Sequence, residues 1–170
     1  MLLGMNCMFE KSIVVALFAL TLMTFTISAN GLPDLTVTSV ATGTPSFISP
    51  SEANLPLTVT IRNAGDSTST RFKLSVDVID SSGRFVKPFT VPASGDRWYP
   101  WKTGLARGAT YSFRGTLYIG MSGGASLHGQ RITVIPRVDS CSGDEFMPDY
   151  CRVRESNEGN NENRRSITLP

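Results

Sequence analysis

The 170-residue chain has a single histidine, His128, and three cysteines. One imidazole excludes a Cys2His2 zinc site, a His-rich metal centre and a two-His facial triad. It also leaves few arrangements for nucleophilic catalysis, which needs a base within reach of the nucleophile. His128 lies in a turn that enters a strand, which favours an ordinary surface histidine. The sequence therefore predicts that the protein is not an enzyme, and an exported hydrolase that uses a carboxylate pair is kept only as a third hypothesis.

The chain also lacks an excess of charge of one sign. It has 16 Lys and Arg residues against 14 Asp and Glu residues, a formal net charge of +2. Nucleic-acid-binding proteins usually carry a clustered basic face. The balance therefore predicts that the chain has no nucleic-acid partner.

Only one long uncharged apolar run occurs, and it lies near the start of the chain. Lys11 precedes it, the run covers residues 13–27, and the small residues Ser28 and Ala29 follow. This pattern is typical of a secretory signal peptide, whereas a membrane anchor needs about 20 apolar residues. We expect a signal peptide at 1–29, no membrane span after its cleavage, and a protein that is secreted, periplasmic or attached to the cell surface.

Two cysteines remain after cleavage, Cys141 and Cys151. In an exported protein such a pair favours a disulfide, and closing so short a loop would stabilise the fold by about 2.5–3 kcal/mol. The alternatives are a metal pair, which would need two further ligands nearby, and a catalytic thiol.

The rest of the chain shows strand-like alternation of apolar and polar residues and no convincing helical stripe. Turn residues such as Asn, Asp, Ser and Gly separate these segments. The pattern predicts one all-β domain at 30–170, an immunoglobulin-like antiparallel β-sandwich of about seven to eight strands. Pro136 falls inside a predicted central strand, so we expect a bulge there or an end of pairing near Ile135. The predicted strands are 34–40, 56–63, 71–79, 84–91, 110–119, 131–138 and 165–169.

Several motifs along this domain belong together in a known family. They are PDLTV at 33–37, NAG at 63–65, LARG at 105–108, VD at 138–139 and VRESNEGNN at 153–161. In these motifs the chain resembles the CARDB domain, the cell-adhesion-related domain of bacterial and archaeal surface proteins. The resemblance spans about residues 32–169, and the ESNEGNN segment is its most specific part. It implies an immunoglobulin-like sandwich that is secreted, non-catalytic and used in adhesion or surface display.

The acidic and amide residues of the last motifs allow two interpretations. Asp and Asn side chains bind backbone groups a few residues along and so fix turns. Calcium is the alternative, because it takes six to eight oxygen ligands. The candidate calcium ligands are Asp139, Glu155, Asn157, Glu158 and Asn160. No other cofactor is expected.

An aromatic segment is the second candidate site. It contains Arg97, Trp98, Tyr99 and Trp101. Exposed rings of this kind form a binding platform for sugar rings or for an apolar patch of a partner. The alternative is that the aromatic rings pack at the end or edge of the sandwich.

Two functional hypotheses of different classes follow. The first is a secreted adhesion or binding module whose partner is an envelope polysaccharide or a surface protein. The second is a structural or accessory exported domain of an envelope assembly, which contributes an edge strand by β-augmentation.

Overall fold

The computed structural model describes residues 31–92, 101–139 and 153–170, and these residues form nine β-strands and one short 3-10 turn at Ser122–Gly124. This architecture confirms the all-β prediction. Within the described ranges no helix has the length and apolar character needed to cross a membrane. The strands are β1 (Leu35–Thr42), β2 (Ser46–Ser49), β3 (Glu52–Asn63), β4 (Phe72–Asp80), β5 (Lys87–Pro92), β6 (Trp101–Lys102), β7 (Thr110–Gly120), β8 (Arg131–Val138) and β9 (Arg165–Thr168).

The strands form two antiparallel sheets. Sheet one has the order β1-β3-β7-β5, with β2 pairing with β3, and sheet two has the order β6-β4-β8-β9. Without β2 and β6, this is the four-plus-three arrangement of an immunoglobulin constant-type sandwich. The predicted immunoglobulin-like sandwich is therefore confirmed, with seven principal strands and two short additions.

The core lies between the inward faces of the two sheets. Alternate residues of β3 are buried from Ala53 to Ile61, as the strand period of two requires. The opposing sheet contributes Phe72, Leu74, Val76 and Val78 of β4 and Ile132, Val134 and Val138 of β8 to this core. The largest fully buried side chains are Phe72, Phe113, Leu35, Leu55, Ile61, Leu74, Leu117, Ile119, Leu127, Ile132, Leu169 and Val59.

The two additional strands were not predicted, because both are too short for alternation to be visible. β2 has four residues with a register irregularity between Phe47 and Ser49, and β6 has two residues. β3 also begins earlier than the strand predicted at 56–63, at Glu52.

One of the two expected disruptions at Pro136 is confirmed, because the pairing of β8 with β9 ends at Val134↔Arg165, next to Ile135, whereas no bulge interrupts the pairing of β8 with β4. The register of β4 with β8 continues without a shift through Val76↔Pro136 to Leu74↔Val138. The Pro136 carbonyl accepts a hydrogen bond from the Asn163 N–H, at 3.3 Å, on the side of β8 away from β4. In an antiparallel strand the N–H and C=O of one residue point the same way, so the missing N–H of Pro136 removes no bond to β4.

One end of the sandwich carries most of the buried polar groups, and we call it the polar end. There β1 begins while β3 and β8 end at Asn63 and Val138. The connection 64–71, the loop 103–109 and the segment 153–164 gather at this end.

Candidate functional site

The centre of the polar end is Asn63, which is fully buried at the last position of β3. Its Oδ1 accepts hydrogen bonds from the N–H groups of Asp34 (3.0 Å) and Gly65 (3.1 Å). Its Nδ2 donates to the carbonyls of Ser67 (2.7 Å) and Leu105 (2.8 Å). One amide therefore uses both its donors and both its acceptor positions to hold three chain segments together.

Position 65, in the same NAG motif, requires glycine because two backbone segments approach closely there. The N–H of Ala64 donates to the Asp34 carbonyl, and the N–H of Asp66 donates to the Leu32 carbonyl. A Cβ on Gly65 would lie 2.4 Å from the Leu32 carbonyl oxygen. Only glycine permits this contact between the start of the domain and the end of β3.

Glu155 covers the outer edge of β1. It is 6% exposed, its Oε2 accepts from the Leu35 N–H, and its Oε1 accepts from Asn161 Nδ2 at 3.0 Å. Two positions along β1, Asn163 Nδ2 donates to the Val37 carbonyl at 3.1 Å. Side chains from 153–164 thus take the place of a neighbouring strand on the first half of β1, which protects a sheet edge from pairing with another chain.

Asp139 joins the two ends of the segment 140–152. It is buried and has φ of 48°, in the left-handed region that Asp tolerates better than most residues. Its N–H donates to the Lys73 carbonyl at 2.9 Å, and its Oδ2 accepts from the Val153 N–H at 3.0 Å. This residue therefore follows directly after β8 and binds the backbone again fourteen positions later, at Val153.

The remaining three candidate ligands also contact backbone or neighbouring side chains. Asn157 Oδ1 accepts from the Gly159 N–H, and Glu158 Oε1 accepts from the Glu155 N–H, both at 3.0 Å. Asn160 Nδ2 donates to Asp34 Oδ1 at 2.9 Å, and to the Thr36 hydroxyl. These are the contacts of residues that fix turns, as the first interpretation expected.

Burial raises the pKa of the Glu155 carboxyl. The pKa of Glu155 is raised to about 8, chiefly by removal from water and also by the negative charges of Glu158 and Asp139, against the opposing hydrogen bonds from Leu35 and Asn161. A carboxyl with this pKa carries its proton at neutral pH.

The described oxygens do not by themselves make a calcium site. Two buried oxygens, Asn160 Oδ1 and Asn161 Oδ1, have no hydrogen-bond partner, whereas calcium takes six to eight. Among the described residues no group of three or more His, Cys, Asp or Glu side chains is placed to hold a metal. The carboxylates of 144–149 lie outside the described residues, so calcium binding stays a prediction.

Two other predicted features fall largely outside the described residues. Cys141 and Cys151 are outside them, as are Arg97, Trp98 and Tyr99. Trp101 is the first residue of β6, where it pairs with Lys73. The disulfide and the aromatic platform stay predictions, as does the signal peptide at 1–29.

His128 occupies the opposite end of the sandwich. Its ring stacks on Phe47 with centroids 3.9 Å apart, and its Nδ1 lies 3.0 Å from the Pro170 carbonyl oxygen. The side chain is exposed and fixes β2 against the last residues of the domain.

Sequence reasoning missed Asn63, Asn161 and Asn163 as residues that organise this end. A signal for the first existed: Asn63 is polar at an inward position of an alternating strand, two residues after Ile61. Such a residue must find hydrogen-bond partners inside the fold. The partners of Asn161 and Asn163 lie on β1 or follow β8, and local pattern does not reveal them.

Comparison with known proteins finds similar structures and no close relative. No protein-family model matches the chain, and no curated protein does. A CARDB domain of the PF1109 protein from Pyrococcus furiosus, solved in complex with di-metal ions, is 18% identical, with a TM-score of 0.41, over 82% of this chain and 90% of that chain. A CARDB domain, the family that the sequence motifs resemble, is thus among the solved structures that the comparison found.

Two much larger proteins are also similar in structure. A β-galactosidase described as putative, from Bacteroides fragilis, is 13% identical with a TM-score of 0.46, over 76% of this chain. Bacteroides uniformis β-glucuronidase 2 is 12% identical with a TM-score of 0.46, over 82% of this chain. This chain spans only 16% and 14% of their lengths.

Proposed function

We propose that the chain is an exported, non-catalytic binding module that attaches to envelope polysaccharide or to a surface protein. The sequence supports export through the segment 1–29, and the β-sandwich supplies a scaffold on which loops carry recognition. At the polar end the loops are held by buried side chains such as Asn63 and Glu155. A loop fixed in this way loses little conformational entropy on binding.

One observation carries the proposal: the aromatic segment runs directly into an anchored strand. β6 pairs with Phe72 and Lys73 at the edge of sheet two, and Lys102 Nζ lies 5.2 Å from the ring centroid of Tyr111 in sheet one. Both sheets therefore hold the point at which residues 97–101 join the domain. We assign Arg97, Trp98, Tyr99 and Trp101 as the binding platform, since aromatic and arginine side chains dominate binding hot spots.

The test is retention of the full chain, purified from an exporting host, on cellulose, chitin and isolated bacterial envelopes. The expected result is saturable binding that W98A/W101A loses while its melting temperature stays near that of the parent. F85A serves as the control, because Phe85 is an exposed aromatic residue (71%) far from the polar end. A large loss of stability in W98A/W101A would instead show that the rings pack in the fold, and equal loss of binding in F85A would remove the platform.

The accessory-domain hypothesis has one observation in its favour. Ile48 is 55% exposed on β2, a strand at the margin of sheet one. However, β2 has only four residues and an irregular register beside Ile48, and both features discourage further strand pairing. If this hypothesis is correct, I48K abolishes co-purification with an envelope complex and leaves polysaccharide binding unchanged.

A further inference from the structure

The outer face of sheet one carries a compact patch that the aromatic platform does not include. It consists of three cross-strand pairs between β3 and β7: Thr58↔Arg114, Thr60↔Ser112 and Arg62↔Thr110. The residues between them, Val59, Ile61 and Phe113, are buried, so these six side chains point outward. We call these six residues the arginine–hydroxyl face.

The face has a regular arrangement of charge and hydroxyl groups. Arg62 and Arg114 stand at opposite corners, four positions apart along the strands, which is about 14 Å. Between them Thr60 Oγ1 and Ser112 Oγ lie 3.5 Å apart. Both arginines are exposed and sit on the two central strands of their sheet.

Neither arginine is neutralised within the described part of the chain. Arg84, Arg107, Arg137 and Arg164 each form a salt bridge with a carboxylate there, whereas no such contact involves Arg62 or Arg114.

Two carboxylates on or next to the strands of sheet one, Glu52 and Asp34, form no salt bridge with the arginines of this face in the described part of the chain. Glu52, on the same side of β3, is six residues from Thr58, about 20 Å away, and it is hydrogen-bonded to Tyr118. Asp34, beyond the start of β1, accepts from Asn160 Nδ2. The arginine–hydroxyl face itself contains two positive charges and no negative one.

We propose that this face binds an acidic polysaccharide. Two separated guanidinium groups match carboxylate or sulfate groups along an extended polymer, and arginine binds such groups through paired N–H donors. The four hydroxyls can donate to and accept from sugar hydroxyls between the charges. The proposal rests on the proposed function for its polysaccharide ligand, and it adds the charge class and a second binding surface.

The experiment titrates the full chain with oligosaccharides of alginate and with neutral dextran. Alginate is a polymer of uronic acids. Binding to alginate alone is expected, weakening as sodium chloride rises from 50 to 500 mM, because exposed charges are screened. R62Q/R114Q is expected to bind roughly two- to thirtyfold more weakly, which is the range for loss of two exposed ion contacts. T60V/S112A is expected to weaken binding and keep the same salt dependence.

The matched control is R131Q/R165Q, which removes the same charge from exposed positions on β8 and β9. It is expected to bind alginate like the parent. An equal loss of alginate affinity in R62Q/R114Q and R131Q/R165Q would show attraction by net charge and overturn the proposal. Absence of alginate binding in the parent would also overturn it. Either result leaves open the binding of neutral polysaccharide through Trp98 and Trp101. Failure of the arginine–hydroxyl face is therefore distinguishable from failure of the proposed function.

Discussion

Replacing Asn63 with alanine should be among the most damaging single changes in the domain. The substitution removes the four hydrogen bonds to Asp34, Gly65, Ser67 and Leu105. Three of these hydrogen bonds are partly buried, and each contributes about 0.5–1 kcal/mol. The bond to Leu105 is buried, and leaving its carbonyl without a partner costs about 1–3 kcal/mol. The free energy of unfolding should therefore fall by about 2.5–6 kcal/mol, a large part of the stability of a small domain.

Urea unfolding at pH 7 measures this change, and an unaltered slope with denaturant would show that both proteins unfold from the same compact state. Asn54→Ala is the control on the same strand, since Asn54 lies on the opposite, outward side of β3 and should cost less than about 1 kcal/mol. A loss below about 1 kcal/mol in N63A would refute the reasoning, because it would mean that the loops at the polar end do not depend on this amide.

Three further predictions concern the same end of the sandwich. Glu155 has a folded-state pKa of about 8 against 4.5 for an unperturbed Glu. The stability that its protonated carboxyl contributes is complete below pH 4.5 and is lost as pH rises through 8. The melting temperature of E155Q, whose side chain does not titrate, should lack this decline. Gly65→Ala should cost about 1–3 kcal/mol in urea unfolding, because its Cβ meets the Leu32 carbonyl, and a neutral result would contradict the close approach. The described contacts alone predict the same melting temperature in millimolar calcium and in chelator, whereas a rise with calcium would show that carboxylates of 144–149 complete a site.

The sequence was sufficient for the long strands because each buries one face. β3, β4, β7 and β8 have inward apolar residues at every second position, and their predicted and observed positions agree within a few residues. The short strands β2 and β6 are set by pairing with a neighbour, which leaves no periodic signal in four or two residues. The sequence predicted an interruption of pairing at Pro136 but not that it affects only the β9 side of β8, because sequence does not show which side of a strand an N–H faces.

The organisation of the polar end was only partly predictable. The turn-forming role of Asn157 and the backbone contact of Asp139 follow from the ordinary chemistry of these side chains. The bond from Leu35 to Glu155 joins residues 120 positions apart, and neither spacing nor composition indicates it. The raised pKa of Glu155 follows from that burial and was equally invisible in the sequence.

The two candidate binding surfaces have different physical requirements. The aromatic platform acts through apolar area and stacking, so its binding should be insensitive to salt. The arginine–hydroxyl face acts through exposed charges and should weaken as ionic strength rises. Salt dependence alone therefore separates the two surfaces before any variant is made.

We propose above that this sandwich is an exported module that binds the cell envelope. The most direct measurement is a binding isotherm of the purified full chain on isolated bacterial envelopes, with calcium and with chelator. We expect saturable binding that is reduced by W98A/W101A, by R62Q/R114Q, or by both, in proteins that melt like the parent. Absence of retention on every envelope preparation would contradict the claim.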